Sequence, residues 1–271
     1  MNTTKIKNDQ AQYGMGYSNT FIDMLKMRKV ETNAQFLIPY LKRGLKILDC
    51  GCGPGSMTIG FANYVKNGNA IGIDIEESQI EIAREDAKKS GVNNVTFQNA
   101  SVLELPFKDN TFDIVFSQAL LSHLKDPISA LLEQKRVVKQ GGMVAARNIY
   151  HSGIVFYPQS ALLNEAARFH VQPVRDHGGD PDLGIKLGQL FRTADFNNVK
   201  HTVFCETGDI TALARNFYVD ETVNRAYSKK LLADGKITLE KLQAYQKAWL
   251  DFANDPNAFS YCPWGEVIGI K

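Results

Sequence analysis

The chain has no long apolar run, no block of like charges and few cysteines, and each absence narrows what it can be. None of its 271 residues lies in a stretch approaching the roughly 18 consecutive apolar residues of a membrane span. The polar start, MNTTKIKNDQAQYG, lacks the apolar centre of a secretory signal, so the expected compartment is the cytoplasm and no membrane contact is expected. Lysine and arginine number 31 against 29 acidic residues, and no five like charges adjoin. That balance argues against a nucleic-acid stripe or an acidic tail and leaves the lysines to a solvated surface. Cys50, Cys52, Cys205 and Cys262 include no CxxC spacing and no second ligand cluster. A zinc or redox site is therefore not expected, and the thiols read as small fillers. Internal repeats and low-complexity tracts are also missing.

What is present is ordinary for a soluble globular protein with a real core: 44% hydrophobic and 22% charged residues. Residues 1–20 read as a loose arm and residues 21–43 as helix broken at Pro39, together a lid-like unit. From residue 44 the pattern alternates short apolar runs with amphipathic stretches. Strands are expected at 45–50, 69–75, 95–99, 112–117 and 143–148, with helices at 56–65, 77–90 and 127–138 between them. Such alternation implies right-handed crossovers and a mostly parallel sheet covered on both faces, an α/β fold. After residue 150 the rhythm changes. A helix at 158–172, a polar loop at 177–184, a further helix to about 194 and a strand at 199–205 are expected. Helical patterns at 208–232 and 238–253 precede a closing strand at 265–270. The organisation is thus a core over 44–206 with an insert at about 151–184, a helical cap over 207–262, and a last strand within 263–271 that returns to the core. Insertions of that length usually carry function.

The stretch LKILDCGCGPG (45–55) carries the chemistry. A buried strand bearing Asp49 turns through Gly51, Gly53 and Gly55 directly into a helix, so a ligand can lie against bare backbone. The spacing is GxGxG rather than the GxGxxG of dinucleotide sites, and a glycine turn alone is a weak signal. Asp74 ends the second strand about twenty residues on, where a ribose-hydroxyl acceptor is expected. Pro54 removes an amide that a pyrophosphate would use, and Asp49 would repel phosphate but attract an ammonium. The ligand so described is a phosphate-free nucleoside with a cationic, amino-acid-like tail, which fits S-adenosylmethionine.

LDCGCGPG, IGIDI, LELPFKDNTFDIVFS, LSHLKDP and RVVKQGG, in this order and spacing, resemble the class I S-adenosylmethionine-dependent methyltransferases. The likeness is greatest to the ubiquinone/menaquinone-biosynthesis type that acts on small molecules (the methyltransferase type 11-like branch). It covers about residues 34–150 and, more loosely, 185–206 and 264–271. The resemblance implies a Rossmann-like seven-stranded sheet of order 3-2-1-4-5-7-6 with an antiparallel last strand and helical caps from the N-terminus and the inserts. It also implies S-adenosyl-L-methionine as cofactor and a small-molecule methyl acceptor. Gly51, Gly53 and Gly55 would lie beside its methionine part, Asp49 at its ammonium, Asp74 at both ribose hydroxyls and Ile75 on the adenine face. Ser101 stands where many relatives have an aspartate for the adenine amino group, and a serine accepts that bond more weakly. Backbone groups near Val102 would supply the rest, and Ser117 and Gln118 would border the transferable methyl.

Methyl transfer from a sulfonium is an in-line displacement, so alignment and exclusion of water are the main tasks. His151, following the fifth strand at the carboxyl edge of the sheet, is the best general-base candidate, and His123 is a second with a structural role as its rival. Arg147 and Asn148 end the same strand and are candidate acceptor contacts. Tyr13 and Tyr17 flank Gly14 and Gly16 in the arm and are candidates for stacking on the sulfonium side or on the acceptor. Aromatic residues of the cap are expected to wall an apolar acceptor cavity. Three alternatives stay open: a fold relative without methyl transfer (a cyclase or binding protein), a nicotinamide-dependent oxidoreductase, and an RNA methyltransferase. The attacked atom is also open, as is a homodimer in which the arm is exchanged.

Overall fold

In a computed structural model the described residues are 16–207 and 210–271. Strands β1 (Lys46–Cys50), β2 (Asn69–Asp74), β3 (Val95–Asn99), β4 (Phe112–Gln118) and β5 (Val138–Ile149) build the parallel part of one sheet. β6 (Val155–Tyr157), β7 (Asn197–Glu206) and β8 (Phe259–Ile270) complete it. The order is β3-β2-β1-β4-β5-β8, with β7 on the far side of β8, and β8 runs antiparallel to β5, β6 and β7. Numbered over the seven expected strands this is 3-2-1-4-5-7-6. The short β6, paired with the first residues of β8, is an addition that the sequence pattern did not signal. β1 is buried along nearly its whole length, as a central parallel strand covered on both faces must be.

Helices α1 (Asn19–Lys26) and α2 (Val30–Asn33) precede the sheet, and α3 (Ser56–Tyr64), α4 (Glu77–Ser90) and α5 (Pro127–Val137) connect its first strands. One core cluster centres on Leu48, Val115 and Phe191, a second on Ile47, Phe61 and Phe116 with Val30 and Leu37 from the N-terminal segment. The insert after β5 holds α6 (Ala161–His170), α7 (Gln172–Asp176) and α8 (Leu187–Thr193). Between β7 and β8 come α9 (Ile210–Leu213), α10 (Val219–Asn224), α11 (Ala226–Ala233) and α12 (Leu239–Asn254). These cap helices share a third core with α6, in which Phe156, Trp249 and Phe252 meet edge to face. Each such ring contributes about 1.5–3 kcal/mol on burial, so the two inserts are joined by a shared core.

Several boundaries differ from the expectation, each for a local reason. Helix begins at Asn19, within the expected loose arm, because Ser18 caps it by accepting from the Phe21 amide at 3.2 Å. Residues 21–43 are not one helix but α1, α2 and a 3₁₀ turn over Gln35–Tyr40 that contains Pro39. The expected helix at 208–232 is divided, with a π turn at Ala214–Tyr218 and a break at Arg225. The expected 158–172 helix is α6 followed by α7, and β5 begins at Val138, immediately after α5. β8 starts at Phe259 instead of Gly265, and Pro263 inside it hid the strand pattern.

Candidate active site

The carboxyl ends of β1, β2 and β4 and the glycine turn open into a first cavity, where ligands bind in open α/β sheets. Asp49, Gly51, Gly53, Asp74, Ile75, Ser101, Val102 and Gln118 all line it. Asp49 is 2% exposed and accepts a hydrogen bond from Thr58 Oγ1 at 2.6 Å. Burial pushes its carboxyl up to about 7 against that hydrogen bond, with the Asp74 charge adding to the rise. Asp74 accepts from the Gly53 amide at 2.9 Å and the Glu76 amide at 3.0 Å. Its carboxyl is also raised by burial, partly offset by those amides. Arg28, the smallest of the four influences on Asp49, opposes the rise without cancelling it, so this end of the cavity favours a positively charged or hydroxyl-bearing ligand. Ser101 lines the wall while its Oγ accepts from the Leu103 amide at 3.2 Å, a local turn bond.

Two expected contacts lie elsewhere. Gly55 is absent from the cavity wall: a Cβ there would meet Ala83 at 2.7 Å and the Phe97 ring at 2.8 Å, so its bareness serves the approach of α3 to the sheet. Its φ of +84° adds a second reason for glycine. Ser117 is fully buried behind the wall, with its hydroxyl unpartnered among the described residues. Alternation along β4 turns Gln118 into the cavity and Ser117 away from it.

Gln79, which the motifs did not reveal, also lines the first cavity. It is 1% exposed, and neither atom of its amide has a partner among the described residues. Gln118 is in the same position. Two orphaned buried amides facing one cavity fit a ligand rich in hydrogen-bonding edges, as the adenine and amino-acid ends of the expected cofactor are. Gln79 lies five positions after Asp74, and the only sequence signal was its place in the first turn after an acidic strand end. Leu25 and Tyr17 close the cavity from the N-terminal segment. Of the two stacking candidates, Tyr17 stands on the wall of this first cavity, and Tyr13 lies outside the described residues.

A second cavity of about 350 Å³ adjoins the first, within the usual size of small-molecule sites. Arg28, Ala119 and His123 line both and mark the junction. Phe21, Met24, Ile154, Phe156, Phe217 and Val171 give the second cavity a mainly apolar wall, and His151, His170, Tyr218, Glu206 and Trp264 supply its polar groups. His151 is therefore on the wall, as expected. Burial holds its imidazole down at about 3, with Asp182 opposing and His123 and Arg175 reinforcing. His123 is held at about 4 by burial and then by Arg28. Both rings are uncharged at neutral pH.

Arg147 and Asn148 line neither cavity. Arg147 is fully buried, with Nε 3.2 Å from Glu266 and a terminal nitrogen 3.5 Å from Glu206. Its guanidinium lies over the Trp264 ring at 4.3 Å, so it braces the cavity wall from behind. The side-chain amide of Asn148 and the Ser122 hydroxyl are 2.9 Å apart in the interior. Arg147 is engaged by Glu206 of β7 and by Trp264 and Glu266 of β8, and Asn148 by Ser122 in the turn after β4.

Among the described residues no group of three or more His, Cys, Asp or Glu is arranged to hold a metal, and no helix is long and apolar enough to cross a membrane. A family model described as a methyltransferase domain matches residues 41–173. The chain is 36% identical over 189 residues to an uncharacterized methyltransferase of Schizosaccharomyces pombe, covering 66% of each chain. It is 39% identical over 190 residues to a demethylmenaquinone methyltransferase of Staphylococcus aureus, covering 64% of this chain and 76% of that one. Its fold is similar to a phosphoethanolamine N-methyltransferase of Haemonchus contortus solved with S-adenosylhomocysteine. The TM-score is 0.57 at 19% identity, over 89% of this chain and 52% of the other.

Proposed function

The chain belongs to the class I S-adenosylmethionine-dependent methyltransferases of the ubiquinone/menaquinone type, and on that premise we propose that it methylates a small aromatic or apolar metabolite held in the second cavity. The observation that carries this reading is the junction: the two cavities meet at Arg28, Ala119 and His123, so a donor in one faces an acceptor in the other. Asp49 would hold the donor's ammonium, Asp74 its ribose hydroxyls, and the amides of Gln79 and Gln118 its remaining polar edges. The bound donor supplies an electrophilic methyl on a sulfonium. The protein's part is then to align the acceptor at the junction and keep water out, which the apolar wall and the two lids support.

His151 and His123 enter as neutral imidazoles, able to accept a proton from an acceptor hydroxyl. Their depressed basicity makes them poor resting bases. They would take the proton as the acceptor atom bonds to the methyl and loses its hold on hydrogen, not before. An acceptor already deprotonated, or attacking through a neutral atom, needs neither ring. The apolar wall and the even charge balance favour a small molecule over RNA. Four cysteines without a disulfide agree with a reducing, cytoplasmic setting.

The test is incubation of the protein with methyl-labelled donor and a fractionated metabolite extract. Label entering a small apolar product supports the proposal. Donor binding with no product from any fraction, or label found only in RNA, would end it.

A further inference from the structure

No residue of RVVKQGG (136–142) or of LPFKD (105–109) lines either cavity, so the function proposed above leaves both segments without a part. The fold ties them to each other. Arg136, in the last turn of α5, donates to the Leu105 carbonyl at 2.9 Å, the Phe107 carbonyl at 2.8 Å and the Asp109 carboxylate at 2.8 Å. Its Nε and Nη2 also grip Glu133 at 2.7 and 2.8 Å, and Glu133 in turn accepts from the Leu105 amide at 2.9 Å. All five N–H groups of the guanidinium are thereby engaged. Lys271 pins the end of the same helix, donating to the carbonyls of Arg136 at 3.0 Å and Val138 at 2.9 Å.

What this clamp holds lies just upstream. Ala100, Ser101, Val102 and Leu103 line the first cavity. They form a turn in which the Glu104 amide donates to the Ser101 carbonyl at 3.3 Å and the Leu103 amide to Ser101 Oγ at 3.2 Å. The start of the turn is fixed to the end of β2. There the Ala100 amide donates to the Asp74 carbonyl at 3.0 Å, and the Asn99 side chain to the carbonyls of Asp74 at 3.2 Å and Ile75 at 2.8 Å. Its other end, at Leu105, is fixed by Glu133 and Arg136. Between these anchors the Val102 amide has no hydrogen-bond partner among the described residues, and so is free to donate to a ligand.

We propose that Arg136, gripping Glu133, is a positioning residue for the methyl donor: from outside the cavity it aims the 101–104 turn at the donor's base, and so raises both affinity and base selectivity without touching the ligand. This rests on the reading of the first cavity as the donor site. The apolar side chains of Val102 and Leu105 sink into the main core, which sets the depth of the turn. Apolar burial is non-directional, however, and leaves the aim of the turn's polar groups open. The clamp supplies direction. Residues 105–109 belong to no helix or strand, and the pair takes up the amide and carbonyl of Leu105 and the carbonyl of Phe107. An ordinary surface ion pair contributes little. This one is bidentate and bonded to backbone on both partners, a geometry that a planar guanidinium fixes and a lysine does not. The bonds from Arg136 also hold the Glu133 carboxyl below its usual range, so the clamp stays charged at neutral pH.

Calorimetric titration of the full-length protein with S-adenosylhomocysteine and S-inosylhomocysteine tests this. The second base presents an oxo group and a ring N–H where adenine presents an amino group and a bare nitrogen, so the pair reads the aim of the turn. The parent should prefer the adenosine ligand by about tenfold or more. Arg136→Met should bind that ligand about tenfold more weakly and narrow the preference to about threefold, and Arg136→Lys should fall between. Lys139→Met, which breaks the 2.6 Å pair with Asp113, controls for general loosening and should match the parent in both respects. Circular dichroism reports folding, and if Arg136→Met does not fold, Arg136→Lys decides. A folded Arg136→Lys with unchanged affinity and preference would overturn the proposal. So would an Arg136→Met that keeps the parent's preference, a Lys139→Met that loses as much, or a parent without preference. A parent that binds neither ligand would overturn the donor site itself.

Discussion

Replacing Asp49 with Asn should stabilise the ligand-free protein while weakening its hold on the donor. The carboxyl is enclosed and accepts a hydrogen bond from Thr58. Its ionisation is displaced from an ordinary value of 3.8 to about 7. Because the folded state binds this proton more tightly than the unfolded state, the native form loses stability as pH rises from about 4 to about 7 and stays penalised above that. Three displaced units at about 1.4 kcal/mol each give ~4 kcal/mol at pH 8, and roughly 3 kcal/mol of that accrues between pH 5 and pH 8. Asn retains an oxygen for Thr58 and removes the charge, so it should recover most of this. Urea unfolding of parent and variant at pH 5 and pH 8 reads the difference directly, since titrations elsewhere cancel. In the same variant calorimetry should show donor affinity lower by about ten- to a hundredfold, the cost of a lost charge-assisted contact. An Asn variant less stable than the parent at pH 8 would refute the view of Asp49 as a strained charge awaiting a cation. Unchanged donor affinity would refute the ligand assignment.

Other residues give independent checks. Asp74→Ala should lose at least tenfold in affinity for S-adenosylhomocysteine by calorimetry, as the proposed role of its carboxylate as ribose acceptor requires. Gly55→Ala should destabilise by about 2–4 kcal/mol in urea, because a Cβ meets Ala83 and Phe97 inside 3 Å at a positive φ. Arg147→Met should cost about 3–5 kcal/mol by leaving buried Glu266 unpaired, and the loss should shrink below pH 5 as the carboxylates protonate.

The core was legible because each of its signals is local. β1, the glycine turn, Asp74 and the strand–helix rhythm are read from contiguous residues, and the cofactor-side residues followed from them. What stayed hidden depends on distant pairing. Arg147 and Asn148 sit at the expected carboxyl edge of β5, but Asn148 is engaged by Ser122, and Arg147 by Glu206 of β7 and by Trp264 and Glu266 of β8, more than a hundred residues away. Pro263 disguised the first half of that strand. Gly55 answers to Phe97 and Ala83, which no spacing rule connects to it. Gln79, Arg28 and His170 carry no motif; only folding brings them to the cavity walls. The wall of the second cavity draws on α1, α6, the π turn, β7 and β8, so composition along the chain gave only its apolar character.

The central claim is the order of groups across the junction: donor site at the glycine turn, methyl at Arg28, Ala119 and His123, acceptor beyond. A crystal structure with S-adenosylhomocysteine measures it most directly. The account predicts the ammonium at Asp49, the ribose at Asp74 and the sulfur at the junction, facing the second cavity. A sulfur pointing to solvent or into the sheet, or a ligand seated in the second cavity itself, would contradict it.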